Sequence, residues 1–320
     1  QCSSEITARY KARLLQGDSL TDLTGGFGID CSFLATGFKS ATYVERQEEL
    51  CEIAAHNFPV LNLNHINIKN EDGVTYLQVM SPVDCLFLDP ARRNEHGGKT
   101  VAISDCEPNV AELEELLLQK ANRVMIKLSP MLDLSLALKE LKQTQEVHIL
   151  SVNNECKELL ILLGQTSPAE ISIHCVNLFT KGTQKEQHFV FTREQEQCSE
   201  CTYTDSLETY LYEPNASLLK AGAFRSIAAA YPVRKLHPNS HLYTSDTFIE
   251  NFPGRIFRIV NQCSFNKKEV KENLADLKKA NVTVRNFPAT VAELRKRIHL
   301  AEGGDTYLFA STLNNGQKVL

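Results

Sequence analysis

Between residues 20 and 152 the sequence alternates short β-rich runs with longer amphipathic stretches, and few folds accept such a pattern. Strands read at Leu20–Thr24, Ala41–Glu45, His65–Ile68, Val83–Asp89, Arg123–Leu128 and Glu146–Val152. Helical patterns at Ile29–Phe38, Gln47–Asn57, Glu107–Ala121 and Leu132–Lys142 fall between them. Val110, Leu113, Leu116 and Leu117 have the three-and-four spacing of one buried helical face. Strands separated by helices need crossover connections, which give a doubly wound, mostly parallel α/β sheet covered on both faces. The turn-prone pair Asn153-Asn154 leads into Lys157–Leu163, where a seventh, antiparallel strand is expected and a short helix is the alternative. Ile171–Leu178 and His188–Thr192 read as a further strand pair.

The remainder divides by composition. Residues 193–206 are polar and rich in Glu, Gln and Ser, as expected of a linker. After them come a strand at Thr209–Tyr212, a helix from about Asn215 to Ala230 and a strand at Leu242–Thr244. The last segment reads β-α-β-α-β-β, with strands at Arg255–Val260, Val282–Arg285, Thr306–Ser311 and Lys318–Leu320. Its helices, Lys267–Lys279 and Val291–Leu300, each begin with capping-box spacing, Asn266…Glu269 and Thr290…Glu293. The expected domains are 1–192, a linker at 193–206, a small domain at 207–250 and a last domain at 251–320.

Charge and cysteine usage narrow the function classes. The net charge of −5 gives no general reason for nucleic-acid binding. Its distribution does: residues 254–320 carry 12 Lys and Arg against 6 Asp and Glu, and the rest of the chain carries 22 against 33. Of ten cysteines, Cys31, Cys51, Cys85, Cys156 and Cys175 lie in apolar patterns and act as small hydrophobes, which points to a reduced, cytoplasmic compartment. No apolar run approaches bilayer length, and the start does not resemble a signal peptide. The chain opens at Gln1 rather than Met, which leaves room for a native segment before it.

The residues that carry chemistry cluster at strand ends. Asp22-Leu23-Thr24-Gly25-Gly26-Phe27-Gly28-Ile29-Asp30 joins the first strand to the first helix, where glycines allow close backbone approach and a helix N-terminus offers free N–H groups. Glu45 ends the second strand, where an acid takes a ribose hydroxyl pair. Asp72 follows the third strand and is placed to address an adenine amine. A dinucleotide-binding fingerprint would need a third glycine at the position of Cys31. The fourth strand ends in Asp89-Pro90-Ala91-Arg92-Arg93, which delivers a carboxylate to the sheet edge where ligands bind.

On these residues the chain resembles class I S-adenosylmethionine-dependent methyltransferases. The pattern is Cys2-Ser3-Ser4-Glu5-Ile6-Thr7-Ala8, the glycine loop and Asp89-Pro90-Ala91-Arg92. It is similar to bacterial RNA methyltransferases with a C-terminal THUMP-like domain. Gly254–Arg258, Val284–Pro288 and Glu293–Arg297 resemble the THUMP-like module, and residues 205–250 the small ferredoxin-like domain that precedes it. The resemblance implies S-adenosylmethionine as cofactor. It assigns Asp22, Thr24, Gly25, Gly26 and Gly28 to the methionine end, Glu45 to ribose and Asp72 to adenine. It places Asp89, Pro90 and Arg92 at the methyl acceptor, and Ser4 and Thr7 over the cofactor. Ala91 and Arg92 replace the second proline and the aromatic residue of the family's amine methylators.

RNA is the implied partner, with Arg285, Arg295, Lys296 and Arg297 as phosphate contacts. Arg92 or Arg93 can fix a phosphate near the acceptor. The alternatives are a non-catalytic RNA-binding or assembly protein that retains the fold, and a methyltransferase of proteins or small molecules. No metal is expected: Cys198-Cys201 has no second pair at zinc-ligand spacing, and His174 and His188 are too loosely placed to complete a site. Cys106 lacks the signature of a base-attacking nucleophile. Lys127-Leu128-Ser129-Pro130 either lines the acceptor pocket or ends a strand structurally.

Overall fold

A computed structural model of the chain describes residues 2–92, 102–166 and 168–320. It contains two compact units, residues 1–193 and 194–320. The first runs α1 (Glu5–Ala12), β1 (Ser19–Asp22), α2 (Ile29–Leu34), β2 (Ser40–Glu45), α3 (Glu48–Val60), β3 (Ile66–Asn70), α4 (Gly73–Val79) and β4 (Val83–Leu88). It continues with β5 (Ala91–Arg92), β6 (Cys106–Glu107), α5 (Val110–Lys120), β7 (Ala121–Leu128), α6 (Leu134–Glu140), β8 (Thr144–Val152), β9 (Glu155–Gly164), β10 (Ser172–Leu178) and β11 (Glu186–Phe191).

Apart from the separate pair β5-β6, these strands form one sheet in the order β11-β10-β8-β9-β7-β4-β1-β2-β3. The expected seven-stranded methyltransferase sheet is present: β3, β2, β1, β4 and β7 run parallel, and β9 inserts antiparallel between β7 and β8. The further strand pair joins the same sheet, β10 parallel to β8 and β11 antiparallel to β10, which makes nine strands. The chain builds outward from β1 through β2 to β3, then returns to place β4 on the other side of β1. This reversal opens a crevice at the C-terminal ends of β1 and β4, the position where open α/β sheets bind ligands. Both sheet centres are apolar: Leu86, Phe87, Val124, Met125 and Ile126 are at most 1% exposed.

Element starts follow capping chemistry. Helix α5 begins at Val110 rather than Glu107, because Cys106 and Glu107 pair antiparallel with Arg92 and Ala91 and the Asn109 side chain caps the helix at Ala111 N. Asp133 caps α6 by accepting from Leu136 N, so that helix starts two residues later than the apolar pattern suggested.

The second unit carries α7 (Arg193–Cys198), β12 (Tyr210–Pro214), α8 (Ala216–Ala221), α9 (Ser226–Ala230), β13 (Arg234–Lys235), β14 (Tyr243–Ser245), β15 (Gly254–Arg258), α10 (Lys267–Leu274), β16 (Asn281–Val284), α11 (Val291–Ile298), β17 (Tyr307–Thr312) and β18 (Lys318–Val319). Its sheets are β13-β14-β12-β15 and β16-β17-β18. The single helix expected from Asn215 to Ala230 is two helices, because Gly222 closes α8 in the left-handed conformation at φ 77°. The polar stretch at 193–206, expected as a linker, holds α7. Its Glu196 carboxylate accepts from the backbone N–H groups of Phe224, Arg225 and Ser226, at 3.0, 2.8 and 2.9 Å, at the start of α9. An acid there satisfies free N–H groups that the helix cannot pair itself. Thr290 and Glu293 form the capping box of α11. At α10 Asn266 caps as expected, but Glu269 reaches the N–H of Ser264 instead. Among the described residues no helix is long and apolar enough to cross a membrane. None of the ten cysteines is joined in a disulfide.

Candidate active site

The crevice holds a cavity of about 530 Å³, lined by Thr24, Gly26, Glu45, Asp72 and Asp89 among the expected residues. A second cavity of about 700 Å³ adjoins it and shares Asp89 and Ala91, adding Pro90, Lys127, Ser129 and Glu158. Asp89 therefore stands where the two meet. Ser4 and Thr7, expected over the cofactor, line the second cavity instead.

The glycines of the loop divide by what lies above them. A Cβ on Gly25 would sit 2.2 Å from the Tyr43 ring, so Gly25 is required by packing inside the protein. Gly28, at φ +75°, would meet Phe58 at 3.0 Å while it starts α2. Gly26, at φ +53°, would meet only the Thr24 carbonyl at 3.8 Å, and it lines the first cavity. Open space above Gly26 is where the loop can admit a ligand. Gly73 was not singled out in the sequence, yet its Cβ would lie 2.1 Å from the Leu23 carbonyl. The start of α4 can approach the end of β1 only through that glycine.

Two carboxylates hold this loop in shape. Asp22 is 1% exposed and outside both cavities; its Oδ1 accepts from Thr24 N at 3.0 Å, so it braces the loop. Burial raises its pKa to about 8, against the opposing pull of the Thr24 N–H. Thr24 Oγ1 in turn accepts from Asp89 N at 2.6 Å, which ties the loop after β1 to the loop after β4. Glu45 accepts from Gly26 N through Oε2 and from Gln47 N through Oε1, both at 2.9 Å. Each oxygen keeps capacity for a second donor on the cavity side. Asp72 is exposed and caps α4 through Oδ1, accepting from Val74 N and Thr75 N at 3.0 Å.

Behind Asp89 lies a run of buried charge. Lys127 Nζ is 2.5 Å from Asp89 Oδ2 and 3.1 Å from Asp30 Oδ2. Lys11 Nζ is 3.0 Å from Asp30 Oδ1 and 2.5 Å from Glu158 Oε2. Ser3 Oγ donates to Asp30 at 2.8 Å and accepts from Lys11 at 2.9 Å. Burial would raise the Asp30 pKa, but Lys11 and Lys127 outweigh it and hold it below the ordinary 3.8. Asp89 goes the other way: burial raises its pKa and Lys127 limits the rise. Burial alone would lower the Lys127 pKa, but Asp89 and Asp30 raise it, so Lys127 stays an ammonium. Lys11, Asp30 and Glu158 were not identified in the sequence. The available signal was a charge inside an apolar run: Glu158 before Leu159–Leu163 and Lys127 after Val124–Ile126.

The remaining expected residues are scattered. Arg93 lies outside the described residues, and of Arg92 only the backbone is described, paired with Cys106. Cys106 is 1% exposed and lines the second cavity. In the second unit Arg285 pairs with buried Glu213 at 3.1 Å, beside Arg255. Arg295 donates to the carbonyls of Ala301 and Ala280 at 2.8 and 3.0 Å, clamping α11 to neighbouring loops. Lys296 and Arg297 are exposed, with the Arg297 guanidinium 4.0 Å from the Phe265 ring centre. Two of the four expected phosphate contacts are thus engaged within the protein.

Replacing Lys127 with Met should leave Asp30 with one cation and Asp89 with none. Breaking one side of a buried ion pair costs about 3–5 kcal/mol, so unfolding of the first unit should shift to clearly lower denaturant. Because the folded Asp30 pKa is depressed, its ion-pair stability is present above 3.8 and lost as pH falls through the folded value. The deficit of Lys127→Met should therefore be largest at neutral pH and shrink in acid. An unchanged midpoint at pH 7 would show that the lysine holds nothing together.

A family model for a ferredoxin-like domain matches residues 210–253, and one described as THUMP domain-like matches residues 254–320. No curated protein matches the chain. Among solved structures, the "putative methyltransferase from Porphyromonas gingivalis W83" is 37% identical, covers 100% of this chain and 80% of its own, and superposes with a TM-score of 0.90. An rRNA methylase from Streptococcus thermophilus is 14% identical over 51% of this chain and 98% of its own, with a TM-score of 0.38. An O-methyltransferase from Bacillus cereus, solved with SAH, is 12% identical over 51% of this chain and 83% of its own, with a TM-score of 0.40. Identity of 37% over the whole chain, together with the THUMP-like match, shows that the protein belongs to the family of bacterial class I methyltransferases with a C-terminal THUMP-like domain.

Proposed function

We propose that the protein is an S-adenosylmethionine-dependent methyltransferase that acts on an RNA base. One observation carries this reading: a single carboxylate, Asp89, borders both a glycine-loop cavity and a separate polar cavity. A transfer enzyme needs two such compartments meeting at the reacting atoms. The first cavity falls within the roughly 300–1,000 Å³ of small-molecule sites. Open space above Gly26 and the spare acceptor capacity of Glu45 suit a ligand with a backbone-contacting end and a ribose diol.

Bound there, S-adenosylmethionine supplies a methyl group already activated by its sulfonium. Gly26 would take the methionine end, Glu45 the ribose and Asp72 the adenine, while Asp22 and Thr24 keep the loop in shape. Asp89 would accept a hydrogen bond from an exocyclic amine of the base and take its proton during or after transfer. Lys127 fixes Asp89 and limits the rise that burial gives its pKa. Most of the catalysis is then positioning. Arg92 would meet a phosphate of the acceptor.

The charge ratio in residues 254–320 supports RNA as substrate, with Lys296 and Arg297 as the accessible phosphate contacts. Ten cysteines without a disulfide suit a reduced, cytoplasmic setting.

Asp89→Ala should abolish methyl transfer while cofactor affinity stays within a few-fold. The measurement is transfer from labelled S-adenosylmethionine to RNA, with the product read by mass spectrometry of nucleosides and matched to a methylation missing from cells without the gene. Full activity in the variant would show that other groups hold the acceptor. No missing nucleoside, with label instead in protein, would replace RNA by a protein substrate. Replacing Lys296 and Arg297 together by Ala should flatten the logarithmic salt dependence of RNA affinity by about 1.4, at about 0.7 per phosphate contact on a single strand. An identical slope would mean that these side chains are merely solvated.

A further inference from the structure

On the side of the sheet where β8, β10 and β11 run together, three histidines and a glutamate converge outside both cavities. Glu146 and His148 are two apart on β8 and so share a face. His174 stands opposite His148 in the parallel β8–β10 ladder, and His188 lies diagonally from His174 on β11. Ligand atoms of Glu146, His148 and His174 all fall within 4.8 Å of one another.

The distances have a pattern. Glu146 Oε2 is 3.2 Å from His148 Nε2, and His174 Nδ1 is 3.2 Å from His188 Nε2. Around zinc, with bonds of about 2.0–2.1 Å, the edge of a tetrahedron is about 3.3–3.4 Å. These two distances are near such an edge, and His188 stands outside the three-residue group, so its ring must move toward the other three.

The second donor atoms of three of these side chains are already occupied. Tyr10 Oη bonds His148 Nδ1 at 2.8 Å, Ser172 Oγ bonds His174 Nε2 at 3.1 Å, and Arg123 bonds Glu146 Oε1 at 3.0 Å. Such outer contacts fix the tautomer and orientation of metal-binding histidines.

We propose that Glu146, His148, His174 and His188 bind a divalent transition metal, zinc in the first instance, and so tie β10 and β11 to β8. Four protein ligands leave no open position, which is the arrangement of a structural rather than a catalytic metal. The His148 and His174 rings are stacked 4.3 Å apart and 18° from parallel, so metal binding requires them to tilt until their lone pairs meet. The site does not depend on the methyltransferase reading.

The test is to strip the full-length protein with a chelator, titrate it with zinc chloride by calorimetry, and follow its melting temperature. One equivalent should bind in the micromolar range or tighter and raise the melting temperature. His174→Asn and His188→Asn should each weaken binding by at least about tenfold. His188 is exposed, so its variant keeps the test valid if His174→Asn does not fold. Cobalt in place of zinc should give visible bands of a nitrogen-and-oxygen site without sulfur charge transfer. No stoichiometric binding would overturn the proposal. So would unchanged affinity in His188→Asn, or a sulfur signature that puts the metal on cysteines such as Cys198 and Cys201.

Discussion

The alternating charges Asp89, Lys127, Asp30, Lys11 and Glu158 are what the site depends on. They connect α1 and α2 to the end of β4, to β7 and to β9. Burying ions is expensive, and a paired buried charge adds little net stability over a well-packed apolar group. Its value is directional. Lys127 can satisfy two carboxylates only if Asp89 stands at one distance and angle, so the acid that borders both cavities is held by charge geometry. The same arrangement explains why Asp30 and Asp89 shift in opposite senses: Asp30 has two cations beside it and Asp89 has one.

A second constraint joins the loops. Asp22 orients Thr24, and Thr24 accepts from the backbone of Asp89. Glu45 holds Gly26 from the other side. The ends of β1, β2 and β4 are thereby locked together by side chains that spend most of their hydrogen-bonding capacity on backbone. Only what remains, the open face of Gly26 and the spare lone pairs of Glu45, is free for a ligand. A site of this kind is rigid before anything binds, which reduces the ordering cost of binding.

Much of this was legible in the sequence. The strand–helix alternation gives the parallel sheet because crossovers allow little else, and strand-end acids fall in the crevice because the order reverses at β1. Glu45, Asp72 and Asp89 could be read for that reason. Other features were not legible, because they depend on contacts between distant segments. Gly25 and Gly26 are adjacent and chemically identical, and only the Tyr43 ring separates a packing glycine from a cavity glycine. Lys11 and Glu158 are 147 residues apart in the chain, and neither belongs to a motif. Arg285 and Arg295 looked like phosphate contacts from composition, but Glu213 and the carbonyls of Ala280 and Ala301 engage them first. His174 and His188 were set aside as too loosely placed, because strand register, not spacing, brings His148 beside His174.

The account stands on the cavity above Gly26 being a site for S-adenosylmethionine. Calorimetric titration of the full-length protein with S-adenosylmethionine, with NAD in a parallel series, tests this most directly. S-adenosylmethionine should bind with one equivalent and NAD should not. Glu45→Ala should weaken binding by about 1–3 kcal/mol, through the lost ribose hydrogen bonds and the released Gly26 and Gln47 N–H groups. Binding of NAD without S-adenosylmethionine, or full affinity in Glu45→Ala, would contradict it.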